Sequence, residues 1–141
     1  MRLKFTSLPI PFRTRFEHAA ATRDRAENVI VLAQDAAGNV GVGEGCPREY
    51  VTGETRESAL AALSRWTSSL EAVDGRAALE TWTAEHEAEI DAAPSAFSAV
   101  ELALLDVFAR RDRVSLERFL GVDETGPPLR ASAGFGSGSM L

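Results

Sequence analysis

Two rhythms of apolar residues divide the chain. Up to residue 45 they come in short runs rich in β-branched and aromatic side chains. From residue 56 onward they recur every three or four positions. The first rhythm predicts strands and the second amphipathic helices. Arg2 to Phe16 reads as an edge-type strand, broken where Pro9 and Pro11 remove backbone donors. Glu17 to Glu27, polar and alanine-rich, reads as a loop. Asn28 to Asp35 carries Val-Ile-Val-Leu-Ala, a strong strand signal. Asp35 to Asn39 supplies turn residues, and Val40 to Glu44 returns as a third strand.

Gly45 to Glu54, punctuated by Pro47 and Gly53, reads as a second loop. Thr55 is placed to cap a helix over 56–71, with Glu57 in the first turn where a carboxylate suits the helix dipole. Leu60, Leu63, Trp66 and Leu70 form its apolar stripe. Asp74-Gly75 ends it, and Leu79, Trp82, His86 and Ile90 mark a second helix over 76–90. Pro94 opens a third as a first-turn proline. Phe97, Val100, Leu104, Val107 and Phe108 line it, and Leu102 and Leu105 widen the stripe, so this helix is the most buried. Ser115 caps a short fourth, Ser115 to Leu120, which Gly121 ends. The fold class is therefore α+β: a three-stranded antiparallel meander followed by a three- to four-helix bundle over residues 1–121. Val122 to Pro128 reads as a linker, and Leu129 to Phe135 as the start of a further strand.

With 141 residues, 45% hydrophobic and 26% charged, the chain has the makings of one globular domain with a real core. A net charge of −6 argues against nucleic-acid binding. No apolar run is long enough for a membrane span, and the first residues are too interrupted for a secretory signal. One cysteine, Cys46, excludes an intrachain disulfide and fits a reducing cytoplasm. Lys4 is the sole lysine; arginine, always protonated, makes a poor general base.

Several motifs carry possible chemistry. Gly41 to Gly45 and Gly134 to Gly138 look like nucleotide loops, but neither completes the spacing between strand and helix. A turn or close backbone approach explains them better. His86 stands among Glu85, Glu87 and Glu89, yet falls on the apolar stripe while the glutamates fall mostly elsewhere. It reads as a structural histidine rather than a metal ligand. Cys46 lacks any partner at metal spacing. Glu101 and Asp106 lie in the most apolar helix and need partners; Arg110 is one turn from Asp106. The two loops hold His18, Arg23, Arg25, Arg48, Tyr50 and Thr52. Loop arginines suit a substrate carboxylate, but on sequence alone they read first as solvated surface charge.

Three segments together carry a resemblance: Pro11 to Arg23 leading into the meander Asn28 to Thr55; Pro94 to Arg110 followed by Ser115 to Gly121; and Pro127 to Met140. In this order they resemble the N-terminal capping domain of the enolase superfamily, muconate-lactonizing-enzyme subgroup. Gly43 to Thr55 is most similar to dipeptide epimerases. The resemblance implies a cap packed on a modified (β/α) barrel, with 17–27 and 45–54 closing over the barrel mouth. His18, Arg23, Arg25, Arg48, Tyr50 and Thr52 would then lie in substrate-specificity loops, and Glu44 and Asp106 would be structural. It implies an isomerase acting with Mg²⁺ on a small acidic or dipeptide substrate.

The family's acid/base lysines and its metal ligands lie on later barrel strands, beyond what Leu129 to Phe135 would begin. No catalytic or metal-binding residue is therefore expected in this chain, and its partner is expected to be the barrel. The alternative is a standalone module that covers exposed apolar surface by self-association or by a partner.

Overall fold

The computed structural model describes residues 1–18 and 21–122. Three strands, β1 (Arg2–His18), β2 (Ala21–Gln34) and β3 (Val40–Gly45), form one antiparallel sheet in the order β1-β2-β3. The helices follow: α1 (Glu49–Thr52), α2 (Arg56–Glu71), α3 (Arg76–Glu85), α4 (Glu87–Asp91), α5 (Pro94–Asp112) and α6 (Leu116–Phe119). This is the expected α+β order. The expected linker and further strand beyond Val122 lie outside the described residues.

The prolines do not break β1. Its register with β2 runs without interruption from Arg2 opposite Gln34 to Pro11 opposite Arg25. The Leu3 N–H points away from β2, donating to Glu71 Oε1 at 2.9 Å. The two-residue period then turns the nitrogens of Pro9 and Pro11 outward as well, so no ladder bond is lost. The expected loop over 17–27 is also replaced. Its described residues are strand, and from Ala21 to Asn28 β2 pairs with β1 alone. This two-stranded ribbon overhangs β3 by roughly 25 Å at the usual rise per residue.

One face of the sheet packs on α5. Gly41, Gly43 and Gly45 approach it so closely that a Cβ on each would stand 2.1, 1.9 and 2.0 Å from the carbonyl oxygens of Ala103, Ala99 and Ser95. The glycine run is therefore a backbone-to-backbone contact. Ala96, Ala99 and Ala103, all fully buried, are small for the same reason. Val29, Val31 and Ala33 continue the core toward Trp66, Leu70, Leu104 and Phe108.

Thr55 caps α2, accepting from Ser58 N while Ser58 Oγ accepts from Thr55 N. The single helix expected over 76–90 is two, interrupted at His86 (φ −117°, ψ 17°). The His86 ring stacks on Trp82 at 4.0 Å and its Nδ1 lies 2.8 Å from Trp82 O. Glu89 accepts from Trp66 Nε1 at 2.9 Å. These contacts make that cluster a packing element.

Candidate functional site

Two segments come to the same end of the sheet. The β1–β2 ribbon runs on past Val29, and Gly45, opposite Val29, ends β3 there. The chain that leaves Gly45 contains α1 and continues to Thr55. It encloses, with Glu27 of β2, a cleft of about 410 Å³ lined by Arg48, Tyr50, Glu54, Arg56 and Glu57 among others. The expected loop over 45–54 is thus partly helical. Val51 N and Thr52 N donate to Arg48 O at 2.8 and 3.0 Å, and Gly53 (φ 77°) closes the turn by donating to Glu49 O at 3.0 Å.

Arg48 and Tyr50 meet in this cleft. Both are exposed. Hydrogen bonding to the Cys46 sulfur, the negative charge of that sulfur when ionised, and then Tyr50 push the Arg48 pKa further up. Thr52 has a local duty instead: its Oγ1 donates to Arg48 O and accepts from Glu54 N, each at 3.4 Å. Arg25 lies on β2 opposite Pro11 and pairs with Asp24 at 3.1 Å, which raises the pKa of Arg25 and lowers that of Asp24. His18 and Arg23 sit on the ribbon, opposite Ala21 and Phe16. Their side chains lie outside the described part.

Glu27, Glu54 and Arg56 of the cleft escaped sequence reasoning, and Glu57 was read only as a first-turn carboxylate. Arg56 donates to Glu27 Oε2 at 3.0 Å and to Glu57, tying β2 to the start of α2. Hydrogen bonding to Arg56 lowers the Glu57 pKa, and Glu57 and then Glu27 raise that of Arg56. Glu54 is 1% exposed. Its Oε2 accepts from Ser95 N at 2.8 Å and its Oε1 from Ala96 N at 3.3 Å. It therefore caps α5 from another element, where the α5 N-cap, Ala93, offers no side-chain acceptor. A carboxylate two residues after a loop threonine carries no local sign of such a task. Only the missing cap before Pro94 hinted at one.

Glu27, Glu54 and Glu57 are already engaged, and Glu44 accepts from Asn28 Nδ2. Among the described residues no three His, Cys, Asp or Glu side chains converge so as to hold a metal ion. The described side chains do not fit a Mg²⁺ site. The cleft presents the exposed side chains of Arg48 and Tyr50.

The comparisons with known proteins agree with this architecture. Residues 3–121 match the family described as mandelate racemase/muconate lactonizing enzyme, N-terminal domain. The chain is 33% identical over 115 residues to an aromatic dipeptide epimerase of Herpetosiphon aurantiacus, a match covering 82% of this chain and 32% of that one. It superposes on the substrate-liganded L-Ala-D/L-Glu epimerase of Bacillus subtilis with a TM-score of 0.75 at 28% identity, covering 85% of this chain and 33% of that one. A dipeptide epimerase of Methylococcus capsulatus, complexed with Mg and L-Arg-D-Lys, gives 0.71 at 29%, covering 84% and 34%. The chain spans about a third of the length of these relatives. It belongs to the mandelate racemase/muconate lactonizing enzyme family, as that family's N-terminal domain within the enolase superfamily.

Proposed function

We propose that this chain is the recognition half of a dipeptide epimerase: it shapes the substrate site, while a barrel supplies the chemistry and the Mg²⁺. The observation that carries this reading is the meeting of the β1–β2 ribbon and the Cys46–Glu54 segment at one end of the sheet. Arg48 and Tyr50 are the side chains with the clearest path to a ligand, and Arg23, Arg25 and His18 belong to the ribbon that would close on it. Arg48, a permanent cation with a planar fork of donors, suits a carboxylate of the substrate. Epimerisation needs a positioned base and stabilisation of the enediolate. The relatives are about three times as long, which leaves room for a barrel that would supply both.

The test is a chimera in which residues 1–121 replace the matching part of the Methylococcus capsulatus enzyme. Deuterium uptake at Cα is then measured over a panel of dipeptides. The reading expects an active chimera whose preferred dipeptide differs from the parent's, and in which Arg48→Ala alters the ranking of dipeptides. An active chimera with the parent's ranking, insensitive to Arg48, would overturn it.

A second reading has one observation in its favour. The sheet face away from α5 carries Leu8, Ile10, Leu32, Val40 and Val42, each between 38 and 49% exposed. Such a face suits another surface, a barrel or a second copy.

A further inference from the structure

Glu54 is a fully buried carboxylate, and among the described residues no cation pairs with it. Its two oxygens are spent on consecutive N–H groups in the first turn of α5, those of Ser95 and Ala96. At the other end of the same segment, Gly45 lies on the Ser95 carbonyl so tightly that a Cβ there would stand 2.0 Å from the oxygen. Both ends of residues 46–53 are therefore fixed on one pair of α5 residues. The stretch between them is closed by its own α1 bonds and by Thr52, with both stems at one point, which is the geometry of a compact loop clasped at its base.

We propose that Glu54 is the positioning residue of this segment. Its carboxylate makes residues 46–53 and the first turn of α5 open as one unit, and so sets where Arg48 and Tyr50 stand in the cleft. The consequence for recognition rests on the reading given under Proposed function. The clasp itself does not, because α5 is held in turn by β3 and passes the rigidity of the sheet to the loop. A substitution at Glu54 loosens Arg48 without touching it.

Cys46 is the one cysteine of the chain and half-buried, so its alkylation reads the opening of this segment. Glu54→Gln replaces one of the two acceptor oxygens by an NH₂ donor, so one of the two N–H groups faces a donor. The expected result is alkylation of Cys46 about tenfold faster, the loss of one buried charge-assisted bond. Amide exchange of Ser95 and Ala96 should accelerate alongside, and that of Val31 and Leu104 should not change. Glu54→Ala should go further in the same direction. A residue that serves only overall stability would speed all four amides alike, and that outcome, or an unchanged Cys46 rate, overturns the proposal. Should the variants not fold, exchange in the unaltered chain decides. Ser95 and Ala96 opening together with Val51, Thr52 and Gly53 supports the clasp, and independent opening overturns it. Failure of the recognition reading would appear in the chimera's dipeptide ranking instead, which these measurements do not read.

Discussion

The Asp106 carboxylate accepts the backbone N–H of Val42 at 3.1 Å, so a side chain of α5 closes the outer edge of β3. Its other oxygen takes Arg110 Nε at 2.9 Å. Glu71 does the same for β1 by accepting from Leu3 N, and Pro9 and Pro11 finish that edge without donors. Both edges of the sheet are thus blunted against strand addition. Asp106→Ala should cost about 0.5–1 kcal/mol by removing the bonds to the Val42 N–H and to Arg110, both of which water reaches. Urea unfolding followed by tryptophan fluorescence measures it, and an unchanged midpoint would remove Asp106 from the account.

The glycines of β3 should be far less replaceable than a turn glycine. Gly43→Ala places a methyl 1.9 Å from Ala99 O, against backbone that cannot yield. It should cost about 3 kcal/mol or more, or abolish folding. Gly38 has a positive φ of 88° and open space around it, so Gly38→Ala should cost about 1 kcal/mol from backbone strain alone. Thermal unfolding of the two variants gives the comparison. Equal losses would contradict the close approach of α5.

Glu101 supplies a pH test. Burial raises its pKa, and among the described residues it has no hydrogen bond or ion pair to offset that. It shares a groove with Arg76, Glu80 and Glu87. The folded state therefore holds this proton to higher pH than the unfolded chain does, and stability is lost as pH rises past about 4 through the folded pKa. Glu101→Gln should stabilise the chain at pH 7, by less than about 1 kcal/mol because the group is partly exposed. The gain should vanish near pH 3. A gain independent of pH would show that the charge is not its source.

Local chemistry made the helices legible. Thr55, Pro94, Ser115 and Gly121 punctuate them as their side chains and φ preferences require, and the stripe of α5 marked it as central. The run Gly41 to Gly45 reads from sequence as a turn or a close backbone approach, because it lacks the spacing and lysine of a phosphate loop, and the structure makes it the second. The prolines of β1 misled for a tertiary reason: which way a proline nitrogen points depends on the register with β2. The described residues of 17–27 read as a loop because a two-stranded ribbon beyond the core has little apolar pattern to keep. The break at His86 follows from the Trp82 ring and carbonyl, which hold the imidazole. Within the site, Arg48 and Tyr50 stood out by type, whereas Glu54 acts on a helix start 41 residues away.

Association should go through the open face of the sheet rather than its edges. Leu32→Lys and Val42→Lys together should lower any concentration-dependent mass of the chain seen by light scattering, and leave its fold unchanged by circular dichroism. Association that persists in this variant would place the contact elsewhere.

We propose that this chain recognises substrate and leaves the chemistry to a barrel. Incubating it alone with L-Ala-L-Glu and Mg²⁺ in D₂O tests that directly, with proton NMR reading the Cα positions. No deuterium uptake above the buffer control is expected. Enzyme-dependent uptake at Cα would contradict it.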